Sequence, residues 1–187
     1  DHPMARALFR EAAAEGLAEA EFSLGWMALR GLGGPEDAAA AADHFMTAAE
    51  AGLAVAQVNL AALLLEGEGV PRDTVAAAGW LRQAAEQGVP AAQASLGLMH
   101  LQGVGVRQSD AEAARWTSLA AAAGDPMAQS RLGQMHEQGR GVPQDDVTAY
   151  LWYSLAAEHG DDASAGRMGR LARRLSAAQI AEATVRA

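Results

Sequence analysis

Apolar residues recur along this chain at a fixed step of 36 positions. Leucine occupies positions 24, 60, 96 and 132, and Met168 continues the series. Glycines keep the same step at positions 16, 52, 88, 124 and 160. A constant period of this length is typical of proteins built from stacked structural repeats. The pattern therefore predicts a repeat array instead of one globular core.

Each repeat predicts two helices separated by a turn that contains glycine. In the second repeat, Ala56 and Leu60 have helical spacing and predict a first helix, helix A, over residues 54–66. Gly67 and Gly69 are expected to end this helix, because glycine readily adopts the left-handed conformation of a helix C-cap.

The second helix of each repeat, helix B, is predicted to begin after an N-cap side chain. In the second repeat the N-cap is Asp73, and helix B continues to Gly88. Its side-chain oxygen can accept a hydrogen bond from a backbone N–H group that the helix leaves unpaired. The equivalent residues in the other repeats are Asp37, Ser109 and Asp145. Pro90 and Pro126 suit the first position of the following A helices.

Small and aromatic residues indicate where the two helices pack. Glycine follows the repeating leucine at positions 25, 97, 133 and 169. Because glycine inside a helix costs about 1 kcal/mol relative to alanine, its recurrence predicts a close approach of two helix backbones. Trp80, Trp116 and Trp152 share one position on helix B. We interpret these tryptophans as core residues.

The repeats predict an all-α chain that forms a single solenoid domain over residues 1–187. The predicted units are 17–52, 53–88, 89–124 and 125–160. An N-terminal helix is expected over residues 3–15, and two capping helices over residues 161–186.

Local signals predict the bounds of the two capping helices. Asp161 is expected to be the N-cap of the first, which continues to about Arg173. Ser176 and Gln179 have the spacing of a capping box, which predicts the start of the last helix. We assign the basic residues Arg167, Arg170, Arg173 and Arg174 to the solvent-facing side of this cap.

The repeat resembles a known family. Residues 92–106 carry the motif Ala-Gln-x-x-Leu-Gly-x-Met-x-x-x-Gly-x-Gly-Val, and Ala77, Trp80, Ala84-Ala85 and Gly88 carry the return helix. This pattern is similar to the Sel1-like repeat, a longer relative of the tetratricopeptide repeat. The resemblance implies a right-handed α-solenoid of stacked antiparallel helix pairs. It also implies a module that binds a peptide or partner protein on its concave face, as an adaptor, scaffold or regulator in a bacterial envelope or signalling assembly.

Composition excludes several kinds of chemistry. The chain has no cysteine, and all fourteen basic residues are arginine. A disulfide scaffold, a thiolate site, a Schiff-base lysine and a phosphate-loop lysine are therefore excluded. The net charge of −9 argues against nucleic-acid binding through a basic face. No apolar run approaches the roughly 20 residues of a membrane span.

The resemblance implies another protein or a peptide as partner. We also expect a monomer, no cofactor, no nucleic-acid binding and no membrane insertion. The resemblance places the chain in the bacterial periplasm or cell envelope, with the cytoplasm as the alternative. The chain begins at Asp1 and not at methionine, so the lack of a leader says nothing about the compartment.

Two histidines are the best candidates for a metal site. His100 and His136 occupy the same position of helix A in two repeats. Equivalent positions of packed helices lie about 8–10 Å apart, whereas both ligands of one zinc ion lie about 2 Å from it. We therefore expect neither a metal site nor a catalytic set, and we expect each imidazole to fill the place where the family often has tyrosine.

The resemblance also implies a binding surface on the A helices. The candidate residues lie at offsets from the repeating leucine that share one helix face. They are Phe22, Trp26, Arg30, Leu65, Glu66, Leu98, Leu101, Gln102 and Gln134. We expect the apolar members to anchor a partner and the polar members to select it. The alternative is that Leu65 and Leu101 belong to the interhelix core and that Trp26 stacks on the N-terminal helix.

Two other functions stay open at this point. A hydrolase that acts on cell-wall material would need histidine and carboxylate groups that converge at hydrogen-bond distance in a cleft. A structural spacer domain of a larger protein would have no apolar concave patch and no specific partner.

Overall fold

The computed structural model describes residues 2–186, with side chains to residue 185, and this part of the chain is entirely helical. The helices are α1 (His2–Ala14), α2 (Ala18–Leu29), α3 (Ala38–Glu50), α4 (Ala54–Glu66), α5 (Thr74–Glu86), α6 (Pro90–Gln102), α7 (Asp110–Ala122), α8 (Pro126–Gln138), α9 (Asp146–Glu158), α10 (Asp162–Leu171) and α11 (Ala177–Arg186). The predicted fold class, an all-α array of helix pairs, is confirmed.

The helices fall into two compact units. Unit 1 is Asp1–Gln87 and contains α1 to α5, each packed against the next helix along the chain. Unit 2 is Gly88–Ala187 and contains α6 to α11. In unit 2 the helices from α6 to α10 also pack in chain order, and α11 packs against α9. A single domain over the whole chain stays a prediction.

The B helices begin at the predicted N-cap residues. The Asp73 carboxylate accepts hydrogen bonds from the N–H groups of Val75 and Ala76 at 3.0 and 2.9 Å. Asp37, Ser109 and Asp145 accept equivalent bonds at the starts of α3, α7 and α9. Each of these bonds satisfies a backbone donor that the first turn of a helix leaves unpaired.

The ends of the A helices depend on glycine. Helix α4 has the predicted bounds and ends at Gly67, whose φ of 76° lies in the left-handed region. Two positions later the chain passes over the start of a neighbouring helix B. A side chain on Gly69 would collide with the Ala38 carbonyl group, and one on Gly141 would collide with the Asp110 carbonyl group. The turn can therefore contact that helix start only when this residue is glycine.

The C-terminal helices follow their local signals closely. Asp161 is the N-cap of α10, as predicted. This helix ends at Leu171, two residues before the predicted end at Arg173, because residues 172–174 form a turn. The predicted capping box then forms: the Gln179 N–H donates to the Ser176 Oγ at 3.3 Å, and the Ser176 N–H donates to the Gln179 Oε1 at 2.9 Å.

The repeating leucine is the centre of each helix pair. The residues Leu24, Leu60, Leu96 and Leu132 are at most 2% exposed. The glycine that follows faces helix B: a Cβ atom on Gly25 would lie 2.6 Å from the Phe45 ring, and one on Gly133 would lie 2.8 Å from the Tyr153 ring. The predicted close approach of helices A and B is confirmed at these two positions.

The interpretation of the tryptophans as core residues holds in part. Trp152 packs against a buried cluster that contains Ala120 and Leu132. Trp116 is 3% exposed, but the other two tryptophans are half-buried. The position of helix B that is buried in every repeat is the next residue, which is Phe45, Leu81, Thr117 or Tyr153. One residue further along a helix is a rotation of about 100°, and this rotation points the side chain at the small residue of helix A.

Candidate functional site

Three aromatic rings of unit 1 form a cluster between α2 and α3. We call Phe22, Trp26 and Phe45 the aromatic cluster. The Phe22 ring centroid lies 6.5 Å from that of Trp26 and 5.6 Å from that of Phe45, and Trp26 lies 6.4 Å from Phe45. Phe45 is buried, whereas Phe22 and Trp26 are half-buried. The cluster therefore has a fixed base and an accessible edge.

A cation lies against the accessible edge of this cluster. The Arg30 Cζ atom lies 5.1 Å from the Trp26 ring centroid, a distance at which a guanidinium group attracts the ring face. Arg30 itself is exposed and follows the last residue of α2. The structure thus brings together three of the predicted residues, Phe22, Trp26 and Arg30. The ring contacts of Trp26 join α2 to α3.

The other predicted residues of unit 1 lie at the end of α4. Leu65 is half-buried, and its carbonyl oxygen accepts a hydrogen bond from the Arg72 Nε atom at 2.9 Å. Glu66 is exposed and has no ion-pair partner within residues 2–186. Its carboxylate is therefore accessible to solvent.

The predicted residues of α6 in unit 2 differ in burial. Leu98 is half-buried and Gln102 is exposed. Leu101 packs against the buried cluster of Ala113, Ala114 and Met135. This contact supports the alternative in which Leu101 belongs to the interhelix core.

Gln134 lies in a different environment, between two adjoining surface clefts of unit 2. The clefts have volumes of about 440 and 400 Å³, and both are bordered by Gln134 of α8 and Arg167 of α10. Several polar side chains complete the two clefts. They are Ser130, Arg131, Glu137, Gln138, Gln144, His159, Asp161, Arg170 and Arg174. We call Arg131, Gln134, Gln138, Arg167, Arg170 and Arg174 the arginine face.

A buried tyrosine positions one arginine of this face. The Tyr153 O–H group donates to the Glu137 Oε2 atom at 2.8 Å and accepts from the Arg167 Nη1 atom at 3.4 Å. The Arg167 Cζ atom also lies 5.6 Å from the Tyr153 ring centroid. Burial, together with the Glu137 hydrogen bond, raises the pKa of Tyr153 to about 12, so the phenol stays protonated at neutral pH.

Most arginines of the arginine face form no ion pair with a carboxylate of residues 2–186. Arg174 pairs with Asp146 at 2.6 Å. Arg131, Arg167 and Arg170 have no carboxylate within 4 Å in the part of the chain that the structure describes. Burial lowers the pKa of Arg131, and the nearby Asp125 only partly opposes this effect. Three guanidinium groups therefore border the clefts without a direct ion pair to a carboxylate of the described chain.

The two candidate histidines close the turns that follow helix A. The His100 Nδ1 atom lies 3.2 Å from the Arg107 carbonyl oxygen, and the His136 Nδ1 atom lies 3.2 Å from the Pro143 carbonyl oxygen. Both imidazoles thus have a structural role. Among residues 2–186, no group of three or more histidine, aspartate or glutamate side chains could hold a metal ion.

One histidine and one carboxylate do lie within hydrogen-bond distance in unit 1. The His44 Nδ1 atom is 2.7 Å from the Glu21 Oε2 atom, and the pair joins α3 to α2. His44 occupies the position of helix B that carries tryptophan in other repeats. No third acid–base group of the described chain is bonded to this pair, so we assign it to helix packing.

Apart from Gln134, the residues of the arginine face were not predicted as site residues from the sequence. Their signal was the spacing of Arg167, Arg170 and Arg174, which we assigned to a solvent-facing cap. Their position beside Gln134 depends on how α10 packs in unit 2, and no local pattern encodes that packing.

No helix among residues 2–186 is both long and apolar enough to cross a membrane.

Comparison with known families gives one match that covers most of the chain. The Sel1 repeat model matches residues 1–17, 18–53, 54–89, 90–125 and 126–161. No curated protein matches the chain.

Solved structures support the same assignment. A protective antigen of uropathogenic Escherichia coli with an SLR fold is 37% identical, with a TM-score of 0.86 over 90% of this chain and 36% of its own. A Sel1 repeat protein from Oxalobacter formigenes is 33% identical, with a TM-score of 0.79 over 83% of this chain and 64% of its own. An immunity protein from Pseudomonas aeruginosa, 20% identical with a TM-score of 0.52 over 86% of this chain and 59% of its own, shares the fold. The chain spans less than two thirds of the length of each.

Proposed function

Because this chain belongs to the Sel1 repeat family, whose members are in general protein-interaction modules, we propose that it binds a peptide or partner protein through its A helices. Binding is the function itself, and the module carries out no catalysis. It serves as an adaptor or scaffold in a bacterial envelope or signalling assembly, with the cytoplasm as the alternative compartment.

One observation carries this proposal: one position of helix A varies between repeats and is accessible in all four of them. The repeating leucine is buried in all four A helices from α2 to α8. Two residues later the chain has Trp26, Ala62, Leu98 and Gln134, which differ in size and polarity. None of these four side chains is buried. A position that is accessible and varies among otherwise similar repeats supports contact with a partner better than a packing role.

The experiment uses a photo-crosslinking amino acid at exposed positions of a folded chain. Benzoylphenylalanine replaces Arg30 or Gln102 on the A-helix side, or Arg82 on α5 as control; all three residues are exposed. Crosslinked proteins from a lysate of the source organism are identified by mass spectrometry. We expect one partner to crosslink from positions 30 or 102 and not from position 82.

The identified partner is then purified and titrated with matched charge variants. Arg30→Glu and Arg82→Glu make the same change at two exposed positions of unit 1. We expect Arg30→Glu to weaken binding at least about tenfold, since arginine beside an aromatic ring often dominates binding energy. Arg82→Glu is expected to bind as the wild type does. Equal affinity for the two variants, or crosslinks from position 82 alone, would overturn the proposal and favour the spacer function.

A further inference from the structure

The arginine face of unit 2 has the properties of a site for a charged segment of another protein. It is built from side chains of α8, α10 and the turn after α10, and its two clefts join at Gln134 and Arg167. Both clefts lie within unit 2. The inference drawn from this face rests on the proposed function, because it names the chemistry of the partner.

The arginines of this face that form no ion pair within the described chain are available to bind an external anion. Arg131, Arg167 and Arg170 have no carboxylate within 4 Å among residues 2–186. The carboxylates that border the clefts direct hydrogen bonds elsewhere: Glu137 accepts from the Tyr153 O–H group, and the Asp161 Oδ2 atom accepts from the Ser164 Oγ atom at 2.6 Å. Asp125 acts on Arg131 electrostatically but forms no ion pair with it. An arginine that binds a carboxylate through two parallel hydrogen bonds makes a strong, directional contact.

Part of the site is organised before any ligand binds. Arg167 is held against the buried Tyr153 by a hydrogen bond and a ring contact. Arg170 lies one turn further along α10 and is exposed. A guanidinium group whose orientation is fixed in advance loses less conformational freedom when it binds.

The amides of the face suit a peptide ligand better than a small anion. Gln134 and Gln138 lie one turn apart on α8, and neither side chain forms a hydrogen bond within the described chain. Glutamine can both donate to a peptide carbonyl and accept from a peptide N–H. From Ser130 to Gln138 the helix rises about 12 Å, which equals the length of about four residues of an extended peptide.

From these features we propose that the arginine face binds an extended segment of about four residues that carries aspartate or glutamate side chains. The carboxylates of the segment pair with Arg167 and Arg170, and its backbone pairs with Gln134 and Gln138. The partner of this module is therefore acidic at the point of contact.

The test uses two fluorescein-labelled octapeptides and the whole chain. One peptide alternates glutamate and alanine, and the other alternates glutamine and alanine. Fluorescence anisotropy measures the Kd at low ionic strength. We expect the glutamate peptide to bind at least about tenfold more tightly than the glutamine peptide, and this advantage to fall at 0.15 M salt because exposed charges are then screened.

Two single variants decide whether the arginine face is responsible. Arg170→Gln and Arg107→Gln each remove one exposed arginine of unit 2 that has no ion pair. We expect Arg170→Gln to raise the Kd of the glutamate peptide at least about fivefold and Arg107→Gln to leave it within about twofold. Both residues are exposed, so both variants are expected to fold; a melting curve checks this.

The inference is overturned if the glutamate and glutamine peptides bind with equal affinity, or if the two variants have equal effects. It is also overturned if a phosphoserine–alanine octapeptide binds at least about tenfold more tightly than the glutamate peptide, because that result would indicate a phosphate site. These results leave protein binding itself open to the crosslinking test. If Arg30→Glu loses its partner while the glutamate peptide does not bind, protein binding stands and the acidic preference fails. If neither experiment detects binding, both proposals fail.

Discussion

The two ends of the Tyr153 side chain have different roles. The ring of Tyr153 is buried against Gly133, while its hydroxyl group contacts Glu137 and Arg167 at the surface. Position 153 aligns with Phe45, Leu81 and Thr117 in the other repeats. The last repeat therefore uses a core position to orient a surface arginine.

The contact between Gly133 and Tyr153 predicts opposite effects for two glycine substitutions. Gly133→Ala places a Cβ atom 2.8 Å from the Tyr153 ring, whereas Gly79→Ala on α5 meets no atom within 4 Å. We expect Gly133→Ala to lower the free energy of unfolding, because overpacking costs about 1–3 kcal/mol and outweighs the roughly 0.5–1 kcal/mol that alanine gains as a helix former. Gly79→Ala is expected to raise it by about 0.5–1 kcal/mol, because alanine is the better helix former. Urea unfolding measures both, and a stabilised Gly133→Ala variant would contradict the close approach.

The two classes of tryptophan predict unequal losses of stability. Trp116 is buried, so Trp116→Ala is expected to lower the free energy of unfolding by about 3–5 kcal/mol. Trp80 occupies the equivalent position but is half-buried. Trp80→Ala should cost about half as much, because folding removes less of the Trp80 side-chain area from water. Thermal unfolding of the two variants provides the comparison. Equal losses would show that Trp80 is as buried in solution as Trp116.

The capped ends of the helices are predictable from sequence, because they depend on local chemistry. Asp73 and Asp145 as N-caps and Gly67 as a C-cap act on their own helix, so sequence suffices to place them. The core position of helix B is not local, because it depends on which neighbour the helix faces. Trp152 and Tyr153 are adjacent, so their side chains point about 100° apart around the helix. Both positions recur with the 36-residue period, so the period alone does not show which of them faces helix A.

The N-cap of α9 predicts a pH-dependent part of the stability. The pKa of Asp145 is lowered, chiefly by the hydrogen bond that the Thr148 hydroxyl donates to it. A carboxyl group whose pKa is lower in the folded state stabilises fully above its unfolded pKa of 3.8, and this stabilisation is lost as the pH falls through the folded pKa. We expect Asp145→Ala to cost about 1 kcal/mol at pH 7 and clearly less at pH 2.5.

A control for this prediction is available on α3. Asp43 is exposed in the helix interior and caps nothing. We expect Asp43→Ala to change the free energy of unfolding by less than about 0.5 kcal/mol at either pH. Chemical unfolding at pH 7 and pH 2.5 measures the free energy of unfolding of the wild type and of both variants. A cost of Asp145→Ala that does not depend on pH would refute ionisation of the cap as the cause.

Across the whole molecule, charge is distributed unevenly. Unit 1 carries five arginines and thirteen acidic residues, and unit 2 carries nine arginines and ten acidic residues. Almost all of the net charge of −9 therefore belongs to unit 1. Sequence alone permits this count, but it does not reveal that Arg131, Arg167 and Arg170 converge on two clefts, because α8 and α10 meet only after folding.

The excess negative charge predicts how stability depends on salt. Like charges repel in the compact state, and salt shortens the range of this repulsion from about 30 Å at 0.01 M to about 8 Å at 0.15 M. We expect the Tm to rise by a few degrees over this range, which corresponds to about 1 kcal/mol for a chain of this size. Differential scanning calorimetry measures the shift. A lower Tm at 0.15 M would mean that attractive pairs such as Arg140 with Asp110 outweigh the repulsion.

The contacts of Gly69 and Gly141 also limit how a gene for such a chain can change in length. Each glycine lies against the start of the preceding helix B, at Ala38 or at Asp110, and no other residue type fits there. One residue added or deleted between such a helix start and its glycine would move another residue type into this contact. A recombination event that adds or removes 36 residues keeps a glycine at each of these contacts. Its junction can lie anywhere within the repeat, provided that both partners are cut at the same phase.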